Sequence, residues 1–155
     1  MDLEDPLSTF FPPLKKMKVW KDGKLLEPKR EATVADLLRH TSGLTYGWKA
    51  IEAIGQAHRK AGVLDRDKAL VPMMNGMGQV PLLFDPGSDW VYGCSTDVLG
   101  GVVEVASGMP FDRFLKERIL EPLGMKDTDF YVPADKVGRF AANYNYKDGK
   151  LTLKD

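Results

Sequence analysis

Phe84-Asp-Pro-Gly-Ser-Asp-Trp-Val-Tyr-Gly-Cys-Ser-Thr-Asp-Val-Leu-Gly-Gly101 is the stretch on which the reading of this chain turns. Asp85-Pro86-Gly87 is turn chemistry, because proline presets φ and glycine accepts φ > 0. Trp90, Val91 and Tyr92 follow, with the two rings alternating about the valine as in a very short strand. Gly93 allows a bend. Ser95 or Thr96 is placed to cap a helix whose apolar positions are Val98, Leu99, Val102, Val103 and Ala106. Asp97 falls in the first turn, where the helix dipole favours negative charge. The pattern predicts a tyrosine hydroxyl held at a strand-to-helix junction, a suitable place for a reactive group.

Outward from this stretch, two other blocks have distinctive spelling. Asp36-Leu-Leu-Arg-His-Thr-Ser-Gly-Leu44 lies before it, and Glu121-Pro-Leu-Gly-Met125 with Asp127-Thr128 lies after it. Together with Tyr92-Gly-Cys-Ser-Thr-Asp-Val-Leu-Gly100, these blocks resemble, in order, those of the class C β-lactamase-like serine hydrolases. That family includes class C β-lactamases, D,D-peptidases and esterases on the same fold. The resemblance runs from about Asp5 to Tyr144.

The resemblance implies an α+β fold: the mainly helical portion of a β-lactamase/transpeptidase-like fold, with a few hairpin strands and most of the main antiparallel sheet missing. Residues 1–155 are then expected to be one domain, a central fragment. The implied chemistry is cleavage of an ester or amide through an acyl-enzyme, with no cofactor and no metal. In that family a Ser-x-x-Lys helix supplies the nucleophile. A tyrosine moves the serine proton, and a Lys-Thr-Gly or His-x-Gly strand helps hold the oxyanion. Of these parts only the tyrosine is present, at Tyr92. No Ser or Thr is followed three residues on by Lys, and neither strand motif occurs. Both absences are expected to fall off the ends of the fragment, and the chain alone is expected to be inactive. Cys94 stands at the motif's third position, often Asn in β-lactamases. A thiol is a poor hydrogen-bond donor there, which points away from β-lactams and toward esters. Cys94 is thus the candidate substrate-binding residue and Tyr92 the candidate catalytic one. The rival readings are a non-catalytic binding or scaffold module, and half of a split enzyme.

Composition limits the alternatives. The 155 residues carry 22 Lys plus Arg and 22 Asp plus Glu. Zero formal charge argues against nucleic-acid or anionic-membrane partners. No apolar run approaches the roughly 20 residues of a membrane helix. The acidic start, Met1-Asp-Leu-Glu-Asp-Pro6, is not a signal peptide, so a cytoplasmic location is the default expectation. One cysteine permits no internal disulfide. Gly93-Cys-Ser-Thr-Asp97 departs from a nucleophile elbow at its fifth position. His40 and His58 have no Cys cluster with which to bind zinc, and His40 is read as a structural residue at a helix end. Tyr46 and Trp48 are read as lining a cleft or anchoring a loop.

The remaining elements follow from local signals. Residues 1–17 read as extended, with Pro12-Pro13 forbidding a continuing helix. Asp22-Gly23 and Asp148-Gly149 each predict a hairpin. Thr33 with Asp36 predicts a capped helix to His40 with Val34, Leu37 and Leu38 buried. A helix is expected from Trp48 to Ala61, with Ile51 and Ile54 inward and Gly62 as its stop. A short helix is expected from Asp65 to Leu70, breaking near Pro72. Residues 73–78 read as a methionine-rich loop. Gly100-Gly101 predicts close approach of another backbone. Pro110 is expected to open a helix containing Phe111, Phe114, Leu115 and Ile119, and residues 127–132 read as β-rich. An apolar face left bare by the missing sheet would favour self-association.

Overall fold

Thr33 and Asp36 cap each other at the start of α1 (Val34–Arg39). The Asp36 amide donates to the Thr33 hydroxyl at 3.4 Å and the Thr33 amide to the Asp36 carboxylate at 2.9 Å. In the computed structural model, which describes residues 1–47, 50–63, 65 and 68–154, this helix is one of four that build the N-terminal core. The others are α2 (Glu52–Ala61), α3 (Leu70–Met77) and α4 (Ser95–Ser107). Phe11, Leu37, Leu44, Ile54, Met74, Met77, Val98 and Val102 are fully enclosed among them. α3 and α4 lie side by side, and α1 packs on α4.

The chain forms two compact units, Met1–Phe114 and Leu115–Asp155. In the first, β1 (Val19–Lys21) pairs with β2 (Lys24–Leu26) through the Asp22-Gly23 turn, whose φ values are 49° and 78°. The Pro81-Leu82 segment runs parallel to β1, with the Trp20 amide bonded to the Leu82 carbonyl and the Leu82 amide to that of Lys18. This pairing delivers the chain to the 85–92 segment. A five-residue helix, α5 (Phe111–Leu115), continues into a wider turn over Lys116–Leu120. In the second unit, β3 (Tyr144–Lys147) and β4 (Lys150–Leu153) form the other hairpin. Tyr144 faces Leu153 and Tyr146 faces Leu151, so one side of this ribbon carries all four apolar side chains. None of the described residues 115–154 is buried.

Several expectations are corrected. Residues 7–9 and 12–16 form short 3₁₀ turns instead of extended chain, with proline at the first positions of the second, where its missing N–H costs nothing. Leu38 and Ile51 are exposed. Pro72 does not end a helix: it sits in the first turn of α3, where no intrahelical N–H is required. Met73, Met74 and Met77 are core residues on that helix, not loop residues. The neighbours of Gly100 and Gly101 are side chains, not backbone: Phe111 for the first, Phe11 and Met74 for the second. Residues 127–132 form no strand. Trp48, the expected start of α2, lies outside the described residues, as do residues 66 and 67 of the helix expected from Asp65 to Leu70; Asp65, Lys68 and Ala69 are not helical, and Leu70 instead opens α3.

Candidate functional site

Tyr92 is not on a strand. Residues 90–92 have no sheet partner, and their fixed point is the Val91 amide, bonded to the His40 carbonyl at 3.1 Å. The loop His40–Tyr46, which leaves α1, is the platform for this segment. Its Thr41 carbonyl accepts from the Gly87 amide at 2.8 Å, and its Gly43 carbonyl from the Leu83 amide at 2.8 Å. The Ser42 and Ser95 hydroxyls meet at 3.0 Å in a fully buried pair. A buried hydroxyl is expensive unless partnered, and here each satisfies the other across the two segments. At Gly93 the chain passes so close to the Leu44 carbonyl and Thr45 Cα that a Cβ would stand 2.5 Å from the latter. Glycine is therefore required for close approach, not only for a bend.

The platform is held at its base by Asp36, 2% exposed. Its carboxylate accepts from both Arg30 terminal nitrogens at 2.5 and 2.9 Å, from the Thr33 amide and from the Thr41 hydroxyl at 2.9 Å. Burial alone pushes this carboxyl up. The Arg30, Thr33 and Thr41 donors, with the Arg30 charge, outweigh burial and hold it below its usual range. The Arg30 guanidinium also lies against Gly87, and the Lys29 amide bonds Asp85. Asp36 thus fixes the His40–Tyr46 loop through Thr41 and reaches the 85–87 segment only through Arg30, while Asp85 ties that segment to Lys29.

Tyr92 is 51% exposed. His40 lies against it at 5.0 Å between ring centroids, tilted 37°, and Tyr46 meets it edge-on at 6.0 Å. Trp90, also exposed, contacts the edge of His40 at 6.3 Å. The Tyr46 hydroxyl donates to Asp97 at 3.4 Å. Burial, the Asp97 carboxylate and the Tyr92 phenol all raise the Tyr46 phenol, so Tyr46 stays a protonated donor. Of the two adjacent phenols, Tyr92 is the one that faces solvent.

Cys94 is placed differently from the sequence-based expectation. It is 0% exposed, with its thiol 3.5 Å from the Thr45 carbonyl. Burial pushes the thiol up to about 12, aided by the Asp97 charge. A side chain with no exposed surface contacts no ligand, so Cys94 packs the junction instead of facing substrate. His58, 5% exposed on α2, also reaches the Thr45 carbonyl. Trp48 lies outside the described residues. Among the described residues no group of His, Cys, Asp and Glu could hold a metal ion.

Sequence reasoning singled out Tyr92 as a candidate but missed its surroundings. Asp36-to-Leu44 was visible as a block, yet nothing in its spelling said that it lies beneath Tyr92. The available signals were Ser42 and Ser95, two small hydroxyls beside buried apolar residues, and Gly93. Two concavities of about 360 and 420 Å³ lie wholly within residues 116–140. Their walls are side chains of a unit without buried residues, and Tyr92 lines neither.

Comparisons with known proteins bear on this arrangement. The Beta-lactamase family model matches residues 1–154. Esterase EstB of Burkholderia gladioli is 40% identical over 117 residues, covering 73% of this chain and 29% of that protein. The monacolin J acid methylbutanoyltransferase of Aspergillus terreus is 31% identical over 172 aligned positions, covering 100% of this chain and 39% of the enzyme. Among solved structures, EstCE1, described as a hydrolase with promiscuous acyltransferase activity, superposes with a TM-score of 0.82 at 26% identity. That match covers 100% of this chain and 39% of EstCE1. The chain therefore spans well under half the length of these relatives.

Proposed function

Because this chain belongs to the Beta-lactamase family, we propose that it is the tyrosine-bearing segment of a serine hydrolase or acyltransferase acting on small esters or amides. Tyr92 is the proton-transfer group. As a serine oxygen attacks the acyl carbonyl, the Tyr92 oxygen takes the serine proton and returns it to the departing alcohol or amine. Water, or a second alcohol in acyl transfer, then releases the acyl group by the same proton path reversed. A phenol of reference pKa about 10 needs a nearby cation to act as a base near neutrality. The serine, that cation and the oxyanion donors belong to polypeptide other than these 155 residues, since no Ser-x-x-Lys occurs in them. The observation that carries the reading is the Tyr92 ring, solvent-facing and braced by two rings at the start of α4.

Two measurements test it. The purified chain gives no turnover of a p-nitrophenyl ester above the buffer rate. In a polypeptide that adds both missing motifs, Tyr92→Phe lowers kcat by about 10²–10⁴-fold, the usual contribution of a positioned acid-base group, with little change in KM. Turnover by the chain alone that Tyr92→Phe abolishes would contradict the first expectation. Unchanged kcat in the extended Tyr92→Phe protein would remove the second.

A further inference from the structure

His40 is an unusual residue for its position. It ends α1 in the left-handed region, with φ 56° and ψ 34°. The other non-glycine residues with positive φ among those described are Asp22 and Asp148, both in Asp-Gly hairpin turns. Aspartate tolerates that geometry because its short side chain bonds locally, and at helix ends glycine or asparagine usually supplies it. Histidine is among the non-glycine residues that enter this region more often than most, yet glycine would do so at no steric cost. An observed outlier of this kind points to a compensating use of the side chain. The imidazole does not provide that use by hydrogen bonding at Nδ1, which is buried without a partner. It provides it by contact: the ring lies against Tyr92 and presents its edge region to Trp90, while the His40 carbonyl receives the Val91 amide between them.

We propose that His40 is a positioning residue for Tyr92. Its left-handed backbone aims the carbonyl at Val91, and its ring selects one rotamer of the neighbouring phenol. This rests on Tyr92 being the proton-transfer group, but the geometric claim is testable without any turnover. The backbone bond fixes the segment, and the ring contact fixes the side chain. These two parts separate under substitution. His40→Asn and His40→Gly both accept the left-handed conformation, so the end of α1 and its bond to Val91 survive. Only the ring is lost. His40→Phe restores a flat ring without either imidazole nitrogen.

The test is an NMR measurement of the Tyr92 χ1 rotamer ratio from three-bond couplings, with resonances assigned by comparison with Tyr92→Phe. In the wild-type chain, cross-relaxation between the His40 and Tyr92 rings is expected. In His40→Asn and His40→Gly the rotamer ratio falls about two- to tenfold, the range one aromatic contact is worth. The melting temperature stays within a few degrees, since a glycine at this position relieves strain. His40→Phe returns the ratio toward wild type. An unchanged ratio in the folded Asn and Gly variants overturns the proposal, as does failure of Phe to restore it. Should both variants fail to fold, the wild-type measurement decides: no ring-to-ring cross-relaxation overturns the proposal, and its presence supports it. If instead Tyr92 is not the proton-transfer group, the rotamer result stands while the kinetic effect of Tyr92→Phe disappears, so the two failures are told apart.

Discussion

Replacing Asp36 by alanine removes the carboxylate that ties α1, Arg30 and the His40–Tyr46 loop together, and its cost can be worked from the contacts. The capping-box bond to the Thr33 amide is worth about 1 kcal/mol. The Arg30 head is about half exposed, which discounts its two bonds to roughly 1 kcal/mol together. The Thr41 hydroxyl is also left without its acceptor, and an unsatisfied buried donor costs about 1–3 kcal/mol. The sum is about 3–5 kcal/mol. Against a domain stability of about 5–15 kcal/mol this is severe. Asp36→Asn keeps the shape and removes the charge. Charge assistance roughly doubles a hydrogen bond, so Asn costs about half as much. Urea titration of the wild type, both variants and Arg30→Ala measures these values. In the double-mutant cycle the Arg30 coupling comes out as the smaller part, because water already shares that guanidinium. A loss below about 1 kcal/mol for Asp36→Ala, at an unchanged dependence on urea, would refute the assignment of Asp36 as the anchor.

Two further expectations follow from the same junction. Burial lowers the His58 imidazole, although its bond to the Thr45 carbonyl opposes the shift. The unfolded chain therefore takes up a proton near the reference value of about 6.5 before the folded chain does, and stability falls as pH drops below that value until the folded His58 protonates. Denaturation between about pH 7 and pH 5 shows this slope, and His58→Phe flattens it; an equal slope in the variant would assign it elsewhere. Gly93→Ala places a methyl against the Leu44 carbonyl and Thr45 Cα, backbone atoms that cannot turn aside. The expected cost is about 1–3 kcal/mol, with Cys94 reacting faster with a thiol reagent as its contact with Thr45 opens. A neutral Gly93→Ala would show that the two loops are not in such close contact.

Signals that act within a few residues were legible in the sequence. Thr33 and Asp36 cap each other as their spacing requires, Gly62 closes α2 in the left-handed conformation, and both Asp-Gly pairs make hairpins. What failed depended on partners distant in sequence. Trp90-Val91-Tyr92 has strand alternation, but alternation does not supply a neighbouring strand, and the Val91 amide bonds to a helix end instead. Leu38 and Ile51 fit an inward face by period, yet the turns they occupy point outward. Pro72 was read as a stop because its distance from the helix start was unknown. For the candidate site, the blocks identified the family and singled out Tyr92 as the residue to test. The burial of Cys94, the Asp36 anchor and the His40 contact are tertiary, and single residue types do not encode them.

The C-terminal ribbon has Tyr144, Tyr146, Leu151 and Leu153 on one side, all largely in solvent, and no third strand among the described residues. Two strands alone are marginally stable in water, and their open rims can template further pairing. That open rim makes edge-to-edge pairing of ribbons the expected route of self-association. Sedimentation at rising concentration will show it, and Tyr146→Lys, which sets a charge on the apolar side, will reduce it.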